Sequence, residues 1–262
     1  MLITGAGSGI GKAVAECFLK NGHTVYGLDI CYSEKAKGMY ALTGDITSQD
    51  DLELIKTQLE TDKIAFDWIL NFAGVHTMSS FIEEDYGKIK RFLEINLLGA
   101  MLVNKTFHAL LKKGGKILVT TSEVAPLDPL PFNGLYSVSK TALDAYAQAL
   151  RQELNLLGQQ VVTLRPGAIE TPLSRGNTAS TERLCETTIL YKKESVHFGG
   201  LVKKFTGKPM AAEHLAKLVY KISQKKHPRY VYSKHRNVGL LLLGILPKRL
   251  QCFIVKKLVG GK

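Results

Sequence analysis

Short apolar runs alternate along the chain with longer stretches in which apolar positions recur every three or four residues. Met1 to Thr4 is apolar and leads straight into a glycine-rich turn. Gly9 to Lys20 follows with Ile10, Val14 and either Cys17 or Phe18 on one face, which predicts a helix. His23 to Leu28 is rich in β-formers, and Met39 to Leu42 is a weaker strand. Thr47-Ser48-Gln49-Asp50 opens a helix with Leu52, Ile55 and Leu59 in period, capped by Ser48 or Thr47. Trp68 to Leu70 reads as a short buried strand, Ile89 to Leu111 as one long helix, and Lys116 to Thr120 as another strand. Tyr136 to Leu157 is the clearest helix, followed by a strand at Val161 to Leu164 that Arg165-Pro166-Gly167 ends.

Strand and helix in such regular alternation predict βαβ units and a parallel sheet covered on both faces. The expectation is an α/β, doubly wound sheet of the Rossmann type, forming one domain over 1–262 with a helical C-terminal extension. After residue 170 the rhythm breaks, and 172–210 reads as a substrate loop or lid. Ala211 to Ser223 resumes as a helix and Tyr230 to Tyr232 as a last strand. In the tail, 238–262, Lys248 to Val259 places Leu250, Phe253, Ile254 and Leu258 on one face. Lys248, Arg249, Lys256 and Lys257 fall largely elsewhere, so this is a basic amphipathic helix.

Composition narrows the class. Apolar residues make up 45% and charged residues 22% of 262, which excludes disorder as the main state. Cys17, Cys31, Cys185 and Cys252 form no CxxC or Cys/His cluster, so neither a metal site nor a disulfide framework is expected. Met1 to Gly5 carries neither a basic segment nor a long apolar run, and Val238 to Leu246 is too short to span a bilayer. A cytoplasmic location, peripheral to a membrane if the tail binds one, is the expectation. The net charge of +12 is unevenly placed: residues 192 to 262 hold 17 Lys/Arg against Glu194 and Glu213. A near-neutral body with a basic final third suits a surface that meets something anionic, or a solvated lysine-rich face.

Three motifs carry chemistry. Thr4-Gly5-Ala6-Gly7-Ser8-Gly9-Ile10-Gly11 follows a strand and opens a helix, where glycines let a pyrophosphate approach backbone N–H groups. Asp29 ends the next strand, 18 residues after Gly11, where a carboxylate can accept both ribose hydroxyls of NAD and repel the 2′-phosphate of NADP. No Arg or Lys lies at 30 to 33 and position 8 is Ser, so NAD is expected over NADP. Tyr136 and Lys140, four apart, share one helix face. An ammonium ~4 Å from a phenolate stabilises it by roughly 4 kcal/mol at an effective dielectric of 20, enough to bring a phenol down by about 3 from ~10. Such a phenol can pass a proton to or from an alcohol oxygen.

With these motifs in order, the sequence resembles the short-chain dehydrogenase/reductase family from residue 1 to about 175. The family's TGxxxGxG is Thr4 to Gly11, with Gly5, Ser8, Gly9, Ile10 and Gly11 at the cofactor. Its adenine-contacting Asp matches Asp45 in Gly44-Asp45-Ile46. Its NNAG is Asn71-Phe72-Ala73-Gly74, its helix asparagine Asn96, its YxxxK Tyr136 to Lys140, and its PG…T Pro166-Gly167-Ala168-Ile169-Glu170-Thr171. The resemblance implies Tyr136 as general acid/base, Lys140 lowering its pKa and holding the nicotinamide ribose, and Asn96 keeping a water in a proton relay. It also implies that Thr171 and the backbone after Pro166 fix the carboxamide, and that the chain forms a homodimer or homotetramer.

Departures from the family pattern bear on the site. The substrate-holding serine usually lies 13 positions before the tyrosine, where this chain has Glu123; Ser122 lies 14 before. Either the loop Ala125 to Pro131 carries one extra residue and Ser122 is the serine, or Glu123 replaces it. Ser122 is favoured, because a carboxylate beside a developing alkoxide opposes the transition state. Phe72 stands at the second Asn of NNAG, and the first strand is short.

Leu184, Ile189, Leu190, Phe198, Leu201, Val202 and Phe205 suit a pocket for a hydrophobic alcohol or ketone, or else pack on the core. Leu240 to Leu243 with the basic helix behind looks like the tails of family members acting on retinoids, steroids or other lipids. It would either lie on a membrane surface or pack against the body or a subunit. Nucleic acid is not an expected partner, since the tail lacks a stacking platform. The expected function is hydride transfer between NAD(H) and a lipid-like alcohol or ketone. The competing readings are epimerisation or dehydration on the same fold, or a non-catalytic NAD-binding, membrane-associated protein.

Overall fold

The computed structural model describes residues 1–205 and 207–260; the side chains of 175–178 and 205, Phe205 of the expected pocket among them, lie outside that description. The elements are β1 (Leu2–Thr4), α1 (Gly9–Lys20), β2 (Tyr26–Asp29), β3 (Tyr40–Thr43), α2 (Gln49–Thr61), β4 (Phe66–Asn71) and α3 (Tyr86–Leu93). They continue with α4 (Gly99–Phe107), β5 (Leu111–Thr120), α5 (Gly134–Leu156), β6 (Gln160–Pro166), β7 (Ile169–Glu170), α6 (Pro172–Thr187) and α7 (Lys192–Phe205). The last are β8 (Met210–Ala211), α8 (Ala212–Ser223), β9 (Val231–Lys234), α9 (Val238–Gly244) and α10 (Lys248–Gly260).

The main sheet runs β3-β2-β1-β4-β5-β6-β9, every neighbouring pair parallel. Successive strand residues point to opposite faces. Leu2, Ile69, Ile117 and Val161 therefore pack with α2, α4 and α5 on one side. Ile3, Leu70, Leu118 and Val162 pack with α1 and α8 on the other. Each fully buried aliphatic side chain contributes about 1.5–3 kcal/mol relative to exposure. The chain reverses direction across the sheet at β1, flanked by β2 and β4, and such switch points open a crevice at the strands' carboxyl ends.

Two expectations change. The long helix expected over Ile89 to Leu111 is broken: a π-helical turn, Glu94–Leu98, separates α3 from α4, and a 3-10 turn, His108–Leu110, leads into β5. One extra residue per turn rotates the following face, a device common at functional sites. The segment 172–210, expected as a lid without regular structure, holds α6 and α7. Thr171 caps α6 through a capping box with Ser174, and Pro172 stands at its first turn. The short pair β7 and β8 then anchors this excursion to the end of β6.

Candidate active site

The turn between β1 and α1 is built to exclude side chains. Gly5 and Gly9 have φ of +69° and +52°, where L side chains are strained. A Cβ on Gly11 would lie 2.1 Å from the Gly5 carbonyl oxygen, and one on Gly7 2.4 Å from that of Cys31. Ser8 occupies the cap position of α1 without a side-chain cap bond, leaving the first-turn N–H groups to an external acceptor. Asp29 Oδ2 accepts the Gly7 N–H at 2.8 Å, holding its carboxylate beside the turn. Ile10 faces the cavity described below. A glycine cradle at a helix N-terminus fits a dinucleotide's pyrophosphate.

Several expected cofactor residues have framework roles. Asp45 Oδ1 accepts the Thr47 N–H and hydroxyl, and Oδ2 accepts from Arg91 at 2.7 Å. Ile46 is in the core, against Gly99. Asn71 Nδ2 donates to Asn104 Oδ1 and the Leu118 carbonyl, tying β4 to α4 and β5. Thr4 Oγ1 accepts the N–H groups of Phe72 and Ala73, both at 3.2 Å, which fixes the strand end that leads to Gly74.

Tyr136 and Lys140 lie on the first two turns of α5. Asp144, one turn on, accepts Thr121 Oγ1 and pairs with Arg165, anchoring α5 to the ends of β5 and β6. The Ser122 hydroxyl stands near enough to the Tyr136 phenol to favour its ionisation. Lys140 Nζ donates to the Thr120 carbonyl at 3.2 Å and lies 5.8 Å from the Tyr136 ring centroid. The π turn aims Asn96 inward. Its Oδ1 accepts the Val75 N–H at 2.7 Å, and its Nδ2 donates to the Val75 carbonyl and to Ser139 Oγ. A Cβ on Gly74 would sit 3.1 Å from Asn96 Oδ1 and 3.6 Å from Lys140 Nζ, so the bare glycine keeps amide and ammonium facing one gap.

Burial dominates the electrostatics. Desolvation pushes Lys140 down to about 8. It pushes the Tyr136 phenol up; the nearby Ser122 hydroxyl opposes this and the Glu123 charge adds to it. The Lys140 ammonium is itself held against the Thr120 carbonyl, behind the Tyr136 ring. Ser122, not Glu123, meets the phenol. Glu123 turns its carboxylate to the C-terminal segment, accepting the Asn237 N–H at 2.5 Å.

The turn after β6 is shaped by the chain's own backbone. Gly167 N–H donates to the Lys234 carbonyl at 2.8 Å, and a Cβ there would lie 1.9 Å from the His235 carbonyl oxygen. Thr171 Oγ1 caps α6, while its methyl side sits 3.3 Å from a Cβ built on Gly9. Pro166, Gly167, Ile169 and Thr171 thus line the space between glycine turn and tail.

That space is one cavity of about 720 Å³. Ser122, Tyr136 and Lys140 stand in one part of its wall; Phe198, Leu201, Val202 and the inner side chains of α9 and α10 form much of the rest. Leu184 packs behind it with Met78, Phe132 and Phe198. Ile189 and Leu190, expected in the pocket, are 79% and 62% exposed.

A model of the short chain dehydrogenase family matches residues 1–182. The chain belongs to the short-chain dehydrogenase family. It is 29% identical over 184 residues to a Rhodococcus 1-hydroxy-2-glutathionyl-2-methyl-3-butene dehydrogenase, covering 67% of this chain and 80% of that one. It is 28% identical over 200 residues to an NADPH-dependent 1-acyldihydroxyacetone phosphate reductase of Schizosaccharomyces pombe, covering 73% of this chain and 67% of that one. A Burkholderia cenocepacia short chain dehydrogenase solved with NADP superposes with a TM-score of 0.72 at 20% identity, covering 97% of this chain and 94% of that one.

Within this short-chain dehydrogenase, His76 also stands at the site, and no motif in the sequence announces it. Its ring centroid lies 4.5 Å from that of Tyr136, and Nε2 meets Asn133 Oδ1 at 3.1 Å. Burial pushes it down to about 4, with the Lys140 charge adding, so it is neutral at physiological pH. Ser139, which joins Asn96 to α5, was also missed; a serine inside a helix carries no distinctive signal.

Proposed function

We propose that this chain interconverts a lipid-like alcohol and its ketone with NAD(H), Tyr136 exchanging the proton. The observation that carries the reading is the shared cavity: a Ser122–Tyr136–Lys140 cluster and an apolar wall enclose the same space. When bound, the dinucleotide supplies or takes up the hydride. In reduction the Tyr136 hydroxyl donates to the developing alkoxide, and Ser122 holds the same oxygen. Lys140, charged at neutral pH and half discharged near pH 8, can pass a proton toward the gap that Asn96 faces. The acyl substrate named for the S. pombe relative supports a lipid-like one here. A screen of steroid, retinoid and fatty alcohols and ketones, read by nicotinamide absorbance, tests it: turnover is expected only where the carbon skeleton is large and apolar. Turnover confined to small polar alcohols overturns the reading.

Asp29 supports NAD, although the S. pombe relative is NADPH-dependent. Lys12 of α1 is paired with Glu34 at 2.9 Å, so that cation is already engaged by a carboxylate. Asp29→Asn keeps an acceptor for the Gly7 N–H and removes the charge. It is expected to move the NAD/NADP preference by about tenfold or more toward NADP, as the loss of a close charge repulsion requires. The ratio of kcat/KM for the two dinucleotides measures it; an unchanged ratio refutes the assignment.

The tail also supports contact with an anionic lipid surface. On α10 Gln251 and Val259 are buried; of the expected apolar face Leu250, Phe253, Ile254 and Leu258, Ile254 and Leu258 reach the cavity, while Leu250, Phe253 and part of Leu258 stay exposed. On the preceding segment Leu242 and Ile245 are 59% and 78% exposed. Each of the flanking cations Lys248, Arg249, Lys256 and Lys257 adds up to about 1 kcal/mol at an anionic surface. The chain is expected to sediment with phosphatidylserine vesicles, and Ile245→Ser with Phe253→Ser to release it. Equal sedimentation of wild type and the double variant argues against this contact. Point variants are the right test, since deleting the tail would also open the cavity.

A further inference from the structure

Glu123 is a buried carboxylate in the cavity wall, one residue after the serine that meets the phenol, and the proton path described above does not use it. It is not neutral to the site. Burial pushes its own carboxyl up, and its charge pushes the Tyr136 phenol up. Its contacts lie toward the C-terminal segment.

Three pieces of chain converge there. The Glu123 N–H donates to the Pro166 carbonyl at 2.9 Å, and the Gly167 N–H to the Lys234 carbonyl at 2.8 Å. The His235 carbonyl presses on Gly167 where a methyl group could not fit. Glu123 Oε2 then accepts the Asn237 N–H, and Asn237 caps α9, its Oδ1 accepting from Leu240 at 3.2 Å. The Arg236 charge lies within reach of the same carboxylate and favours its ionised form. Farther along, Lys248 pairs with Asp128 of the serine loop, and Gly244 lets Leu127 approach. From this seat α9 and α10 carry Leu240, Leu243, Val255 and Val259 to the cavity.

We propose that Glu123 is a positioning residue that seats the start of α9 against the serine loop, so that the C-terminal hairpin forms the outer wall around the apolar part of the substrate. The inference deepens the redox reading and rests on it for the substrate. The carboxylate thus joins substrate fit at the tail to the serine that holds the reacting oxygen.

Hydrogen exchange on the full chain, without any ligand, tests the seat directly. In Glu123→Ala the amides of 237–246 are expected to exchange about tenfold faster or more, the loss of one charge-assisted bond, while those of α1 and α5 hold. Glu123→Gln, whose amide oxygen still accepts the Asn237 N–H, is expected to keep that protection. Its kcat profile should move to lower pH, because removing the negative charge eases ionisation of Tyr136. Asn237→Pro removes the same N–H at a φ of −77° that proline accepts, and adding Glu123→Ala to it should accelerate exchange little further. In kinetics, Glu123→Ala should raise KM for a long-chain alcohol more than for its short-chain homologue. Unchanged protection of α9 in Glu123→Ala overturns the proposal, as does loss of protection in Glu123→Gln to the same extent. A wild type without turnover would sink the redox reading, yet the exchange data would still decide the seat.

Discussion

Tyr136→Phe is expected to lower kcat by roughly 10²–10⁴-fold, the usual worth of a positioned acid/base group. Among the described residues, the phenol is the one acidic hydroxyl that lines the cavity beside Ser122 and Lys140. Ser122 cannot take over, since an unassisted alcohol is a far weaker acid than a phenol. The fold should tolerate the change: the ring packing against His76 remains, and a phenol hydroxyl is worth about 1 kcal/mol of stability or less. Dinucleotide affinity, read by titration of intrinsic fluorescence, should be little altered. A variant that keeps within a few-fold of wild-type kcat would remove Tyr136 from the chemistry.

Gly11→Ala should damage the other half of the site. The new Cβ would lie 2.1 Å from the Gly5 oxygen and 2.6 Å from its carbonyl carbon, both backbone atoms that no rotamer change can clear. The start of α1 must move away from the strand end, which opens the glycine cradle. Overpacking of this kind costs typically about 1–3 kcal/mol. Thermal denaturation should show that loss, and dinucleotide affinity should weaken by about tenfold or more, since the backbone donors are displaced. Gly200→Ala is the control. Its Cβ meets nothing within 4 Å on α7, and gaining a better helix former there should be neutral or stabilising by up to about 1 kcal/mol. If Gly11→Ala matched this control in affinity and stability, the tight turn would not be what holds the dinucleotide.

What the sequence made legible is local. Tyr136 and Lys140 share a helix face because four residues make about one turn, and the short apolar runs of β1, β4, β5 and β6, each separated by helical stretches, announce a parallel sheet buried on both sides. The glycine turn is readable because its crowding is set by residues a few positions apart. What stayed hidden depends on distant partners or on added residues. The π turn at Asn96 inserts a residue into an otherwise helical pattern, which a fixed period smooths over. The Glu123–Asn237 bond joins positions 114 apart in the chain. The expected apolar face of α10 is split, Ile254 and Leu258 reaching the cavity while Leu250 and Phe253 stay exposed, because α7 and the cavity cover one side only. The Tyr136–Lys140 spacing gave the shared face but not the surroundings: the Thr120 carbonyl fixes where the ammonium sits, and burial pushes Lys140 down and Tyr136 up.

The most direct measurement is a pair of progress curves, wild type and Tyr136→Phe, with NADH and a panel of long-chain and steroid ketones, followed by nicotinamide absorbance. Consumption by wild type that falls at least about 10²-fold in the variant, at unchanged NADH affinity, is the predicted result. Equal consumption by both proteins would contradict the account.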